Sequence, residues 1–119
     1  MTYRGFDVAS DNDIHDVLGI RPEAVPGEEP WVRRLQAQDA TGLVLTLTYD
    51  AIALSVALSL ARDGVVVYEF FREGGVRLVA RAERGQAELV VSFETDGLAG
   101  ELVILVGERI HAKDVLLLK

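Results

Sequence analysis

The chain has 119 residues, a formal net charge of −7, half of its residues hydrophobic and no cysteine. This length fits a single domain with one core. The lack of cysteine excludes disulfide frameworks and thiol nucleophiles, and the acidic charge disfavours nucleic-acid binding, which depends on Lys and Arg that neutralise phosphates. No apolar run approaches the roughly 20 residues that span a bilayer. We therefore expect a cytoplasmic protein with neither a membrane nor a nucleic-acid partner.

Most of the negative charge lies in residues 1–30, which hold seven acidic residues and two arginines. A short strand is predicted at 2–8, and Ser10 is predicted to cap a short helix that stops at Gly19. Residues 21–30 contain all three prolines and form a predicted extended connector. We assign this acidic arm and residues 31–119 to one domain, because so short a connector cannot isolate an independent fold.

Residues 31–119 are predicted to form an antiparallel meander of seven to eight strands. Asp63-Gly64 and Arg84-Gly85 fit two-residue type I′ hairpin turns. The register at Arg84-Gly85 places Arg81 opposite Glu88 on one face and an apolar strip on the other. The fold class is therefore mainly all-β, a barrel or a sandwich, with one short N-terminal helix. The predicted strands are 31–37, 43–49, 54–61, 65–71, 76–82, 87–95, 102–106 and 115–118.

Residues 51–62 are rich in alanine and have a second interpretation as a buried helix. Large and small side chains alternate with a period of two through this segment, which favours a strand. The small residues would leave room on one face of the sheet. With Asp63-Gly64 as the turn, Ala57 is expected opposite Phe70 and Ser59 opposite Tyr68.

The orientation of Glu69 depends on the turn that follows it. A two-residue turn at Gly74-Gly75 would place Glu69 on the apolar strip, whereas a three-residue turn at 73–75 would place Tyr68 and Phe70 there instead. We favour the second, because a buried unpaired carboxylate is costly.

The sequence contains no phosphate-binding loop, nucleophile elbow or zinc-protease motif. Asp11 and His15 would share one helix face, but acidic residues in a first helical turn are explained by the helix dipole. Glu28 and Glu29 lie between prolines, where both would stay ionised. We therefore predict no catalytic residues, no metal, no cofactor and no enzymatic activity.

The chain resembles, in general character and without a shared motif, small acidic β-domains of bacterial type. Among these are immunity proteins that neutralise secreted toxins, and small ligand-binding barrels. The first resemblance implies a non-catalytic module that binds a basic protein partner. The partner-binding residues predicted for it are Asp11, Asp13, Asp16, Glu28, Glu29 and Trp31.

The second resemblance implies a barrel with an apolar lumen that binds a small molecule. The ligand-binding residues predicted for it are Glu69, Tyr68 and Phe70. In either case we expect a homodimer, because the apolar residues of 65–67 and 102–106 need cover that one small chain hardly supplies.

Overall fold

The computed structural model describes residues 5–118, which form one helix and ten strands in two five-stranded sheets. Sheet I has the strand order β1-β7-β8-β9-β10, and sheet II has the order β2-β3-β4-β5-β6. Neighbouring strands are antiparallel, except that β1 pairs in parallel with β7. The elements are β1 (Asp7–Val8), α1 (Asp11–Leu18), β2 (Glu23–Ala24), β3 (Val32–Gln38), β4 (Leu43–Asp50), β5 (Ser55–Arg62), β6 (Val65–Glu73), β7 (Gly75–Glu83), β8 (Gln86–Thr95), β9 (Leu98–Val106) and β10 (His111–Leu118).

The two sheets pack face to face around one core, so the fold is a β-sandwich. Alternate residues of the central strands point inward, as a half-buried pleated sheet requires. Sheet II contributes Leu47 and Leu58 to the core, and sheet I contributes Leu78, Leu89 and Ile104; none of these is more than 1% exposed. The predicted all-β class with one short helix is confirmed, and the sandwich is the observed form.

The N-terminal helix has the predicted ends. The Ser10 side chain accepts a hydrogen bond from the backbone N–H of Asp13, and Gly19 closes the helix in the left-handed conformation. The predicted first strand covers only Asp7–Val8 among the described residues, and its positions 2–4 lie outside them. The predicted connector contains the two-residue strand β2, which pairs with β3. No helix in residues 5–118 is long and apolar enough to cross a membrane.

Both predicted type I′ turns are present, with positive φ at Asp63, Gly64, Arg84 and Gly85. The hairpin at Arg84-Gly85 has the predicted register, and Arg81 Nε donates to Glu88 at 2.8 Å. Residues 55–62 form a strand, as the alternation of large and small side chains predicted.

The pairing across β5 and β6 differs from the prediction by one residue. Ala57 lies opposite Phe71, and Ser59 lies opposite Glu69. A β-bulge beside Leu60 and Ala61 inserts one extra residue into β6 and shifts the register beyond it. Turn chemistry fixes register only up to the next bulge.

The predicted hairpin between β6 and β7 is wrong, because these two strands belong to different sheets. The chain crosses between the layers at Gly74 and Gly75. Gly74 has a φ of 86°, and a Cβ on it would lie 2.5 Å from Cγ2 of Thr95. A Cβ on Gly75 would lie 2.7 Å from the Phe6 ring. The two glycines therefore permit a close crossing that no larger residue fits.

Candidate functional site

The two long sides of the sandwich are built differently. On one side, which we call the closed side, the sheets end in the two-residue strands β1 and β2, and α1 packs against β7 and β8. On the other, which we call the open side, the sheets end in β6 and β10, strands of nine and eight residues. Among residues 5–118, each of these has a hydrogen-bonded strand neighbour on one edge only. Both sides are candidate binding surfaces.

The closed side has an apolar plug beneath a polar contact. Ile14 of α1 is fully buried, and Phe6 is 7% exposed. Above them, Arg33 of β3 donates to the Asp11 carboxylate and to the backbone carbonyl of Pro22. Arg21 donates to Asn12 of the helix at 3.0 Å. These contacts hold α1 and the connector together on one side of the molecule.

Most of the residues predicted to bind a partner lie exposed on this closed side. Asp13 and Asp16 are on α1, and Glu28 and Glu29 are in the loop before β3. None of the four has an Lys or Arg within salt-bridge distance in residues 5–118; Asp16 lies 4.0 Å from Nδ1 of His15. Trp31 follows this loop and is 41% exposed. These acids belong to two segments, α1 and the loop between β2 and β3, and both segments adjoin strands or helix of the closed side.

Asp11 differs from the other predicted partner-binding acids. Its side chain is 40% exposed, and its charge is matched by Arg33 within the same chain. We therefore separate it from the four acids that no Lys or Arg pairs among residues 5–118, which we call the acidic surface: Asp13, Asp16, Glu28 and Glu29.

On the open side, Arg72 of β6 and Asp114 of β10 link the two sheets. The guanidinium donates two hydrogen bonds of 2.6 Å to the two carboxylate oxygens. It also lies 4.7 Å from the ring centre of Phe70 and 5.0 Å from that of Phe93. The hydrogen bonds to Asp114 raise the pKa of Arg72 above its usual value. The contact thus fixes the spacing of the two sheet edges.

Around this ion pair, the open side exposes many large apolar side chains on and between the two sheets, which we call the apolar edge. Ten of the twelve largely exposed apolar side chains in residues 5–118 belong to it, and the other two are Trp31 and Ile52. A long, apolar, unpaired strand edge is uncommon in a monomeric protein, because it invites pairing with another chain. The apolar edge consists of Val65, Val66, Val67, Tyr68, Phe71, Leu98, Val115, Leu116, Leu117 and Leu118.

Of the three residues predicted to bind a small molecule, Tyr68 and Phe70 contact each other, and Glu69 faces away from both. Phe70 pairs with the buried Leu58 and points inward, whereas Glu69 pairs with Ser59 on the outer face and is exposed. Tyr68 meets Phe70 edge to face at 6.1 Å and borders an open cleft of about 410 Å³ beside His111. Glu69 faces outward as predicted, but the turn used to argue this does not exist.

The predicted apolar lumen is also not formed. The small residues Ala57 and Ser59 lie on the outer face of sheet II, because the residues that alternate with them in β5, Val56 and Leu58, face the core. The room that they leave is therefore outside the sandwich. In residues 5–118, no three His, Asp or Glu side chains gather closely enough to hold a metal ion.

Asp39 is a buried polar residue that the sequence analysis missed. Its Oδ1 accepts hydrogen bonds from the Thr41 hydroxyl and from the backbone N–H groups of Thr41 and Leu43, and its Oδ2 accepts one from Ile110. These bonds hold the pKa of Asp39 well below its usual range, and the bond from the Thr41 side chain has the largest effect. The Asp-x-Thr-Gly spacing signals a turn, but the contact with Ile110 spans 71 residues and has no local signal.

Comparison with known proteins gives a structural match alone. No family model matches the chain, and no curated protein matches it by sequence. Its fold is similar to that of a chain in a contact-dependent growth inhibition toxin–immunity protein complex from Klebsiella pneumoniae 342, with a TM-score of 0.81 over 93% of this chain and 96% of that chain. The two sequences are 11% identical, so the similarity shows a shared fold.

Proposed function

We propose that this chain is a non-catalytic protein-interaction module of the toxin-neutralising, immunity type, which binds a basic protein partner in the cytoplasm. The observation that carries the proposal is the acidic surface on the closed side. Four exposed carboxylates lie there with no Lys or Arg within salt-bridge distance among residues 5–118. The shared fold with a chain of a toxin–immunity protein complex supports the same class of function.

The arrangement of charge supports a binding role. The Asp11 carboxylate on the closed side is paired with Arg33. Asp13, Asp16, Glu28 and Glu29 have no Arg or Lys pair among residues 5–118. Their field would instead attract a basic protein and accelerate its association.

Trp31 supplies an apolar contact beside these charges. It follows Glu28 and Glu29 in the chain and is partly exposed, although most tryptophans in a small domain are covered. Tryptophan is enriched among the residues that dominate interface energies. We propose that the acidic surface steers the partner and that Trp31 anchors it.

The test uses the protein encoded beside this chain in its genome as the partner. The four carboxylates are replaced together, as Asp13→Asn, Asp16→Asn, Glu28→Gln and Glu29→Gln. We expect association at low salt to slow by about tenfold or more, since steering is unscreened there. The unfolding free energy should change by less than about 1 kcal/mol, because exposed charges contribute little.

A matched control removes the same charge elsewhere on the surface. It carries Asp63→Asn, Glu69→Gln, Asp96→Asn and Glu108→Gln, all at exposed positions. This control should retain nearly the wild-type association rate. Equal slowing in both variants would show that net charge alone matters, and unchanged rates in both would refute the acidic surface as the binding site.

A further inference from the structure

The apolar edge on the open side is unexplained by the proposed binding of a basic partner. The acidic surface lies with α1 and the connector, whereas the apolar edge follows β6 and β10 at the other side of both sheets. We propose that the apolar edge is the surface through which two copies of this chain form a homodimer, with the acidic surface of each copy left free.

The size of the apolar edge matches a stable dimer. Its ten large side chains are between 37% and 87% exposed. Together they expose roughly 1,000 Å², compared with ~800 Å² that each partner contributes to an interface of standard size. The largest apolar patch on a typical monomer is only about 300–600 Å². Phe71 faces outward from sheet II and Leu117 faces outward from sheet I, so a second copy on the open side would cover part of this area on each sheet.

The charge on this side also fits a second copy better than a basic partner. The chain carries a net charge of −7, so two copies repel one another over most of their surface. In β6 and β10, however, three acidic residues stand against two basic ones, which leaves a net charge of −1. Two of these charges, on Arg72 and Asp114, are already paired with each other. Two copies can therefore meet at the apolar edge with little repulsion.

The two edge strands allow a symmetric contact between two copies of the chain. Among residues 5–118, β6 and β10 each have one row of backbone N–H and C=O groups without a strand neighbour. An edge strand of one copy can pair with the same strand of the second copy about a two-fold axis, as most homodimers are arranged. The second copy would then cover the exposed leucines of β10 and the valines of β6.

Sedimentation equilibrium of the purified full-length chain tests this proposal. We expect the wild type to sediment at micromolar concentration with twice its monomer mass of 13.0 kDa. Leu117→Lys places a charge on β10 at a residue that is 63% exposed, so the fold should not need it. This change should weaken dimerisation by at least about tenfold, which corresponds to ~1.4 kcal/mol.

The control is Ile52→Lys, which makes a similar apolar-to-lysine change at a residue that is also 63% exposed. Ile52 lies in the turn between β4 and β5, outside the apolar edge. It should leave the dimer intact. Val66→Lys on β6 should act like Leu117→Lys, and circular dichroism checks that each variant keeps its β-structure.

Two results would overturn the proposal. One is a wild-type chain that remains monomeric up to about 100 µM, since Kd values of specific dimers with such an interface lie far below this. The other is a dimer that Ile52→Lys disrupts and Leu117→Lys does not, which would place the contact on another surface. Neither result bears on the acidic surface, whose test measures association with a different protein.

Discussion

The two long sides of the sandwich have the same kind of polar contact but different apolar cover. On each side an arginine of sheet II binds an aspartate of another element. Arg33 binds Asp11 of α1, and Arg72 binds Asp114 of β10. Beneath the first pair lies the fully buried Ile14, whereas Leu116 beside the second is 51% exposed. An ion pair can therefore link two elements while the apolar side chains beside it stay exposed to solvent.

The reason is the size of each contribution. A partly exposed ion pair stabilises a protein by roughly 0–1 kcal/mol, because its ions lose hydration and its side chains lose freedom. Burial of one isoleucine side chain contributes roughly 1.5–3 kcal/mol. Apolar burial thus closes the closed side. On the open side, the ion pair links the two sheets while apolar side chains remain exposed.

The largest expected effect comes from removing the plug. Ile14→Ala should lower the unfolding free energy by roughly 2–5 kcal/mol, because it leaves a cavity in the core. Leu118→Ala, at a residue that is 87% exposed, should change it by less than about 0.5 kcal/mol. Urea unfolding at submicromolar protein concentration measures both. Equal losses of unfolding free energy in the two variants would show that the open side is covered within the monomer. They would contradict the difference between the two sides.

A smaller effect should come from the two ion pairs. Asp114→Asn should cost about 1–2 kcal/mol, since its side chain is 25% exposed and receives two hydrogen bonds from Arg72. Asp11→Asn should cost less than about 1 kcal/mol, since its side chain is 40% exposed. The same urea experiment, repeated at high salt, should reduce the second loss more than the first. A larger loss for Asp11→Asn than for Asp114→Asn would mean that the stability of the closed side depends on its ion pair.

The smallest effect should have the opposite sign. Tyr49 is 2% exposed, and its hydroxyl has no hydrogen-bond partner in the described part of the chain. Tyr49→Phe should therefore leave stability unchanged or raise it by up to about 1 kcal/mol at neutral pH. A clear loss would show that the hydroxyl has a partner in the folded protein.

The same residue gives a pH dependence. Burial, with a smaller contribution from the Asp11 charge, raises the pKa of Tyr49 from 10.0 to about 12. Below pH 10 both the folded and the unfolded states keep the proton, so the shift contributes nothing. Between pH 10 and 12 the unfolded state ionises first, and stability falls as pH rises. Unfolding curves across this range should show a smaller alkaline loss in Tyr49→Phe than in the wild type.

The sequence was sufficient where the signal is local. The Ser10 cap, the Gly19 stop and the two type I′ turns depend on residues within a few positions of one another, and all were predicted correctly. The strand at 55–62 followed from its period of two. The crossing at Gly74 and Gly75 was mistaken for a turn, because glycines that permit a sheet change and glycines that permit a hairpin have the same sequence signature.

The sequence by itself determined the helix ends, most of the strands after residue 31 and the acidic character of the first thirty residues, because hydrophobic period, turn residues and charge are properties of short segments. Only the tertiary structure decided which strands share a sheet, which edges remain unpaired and which charges find a partner. Arg72 and Asp114 are 42 residues apart, and Asp39 and Ile110 are 71 apart. Such contacts depend on how two whole layers are stacked, and no short stretch of sequence records that.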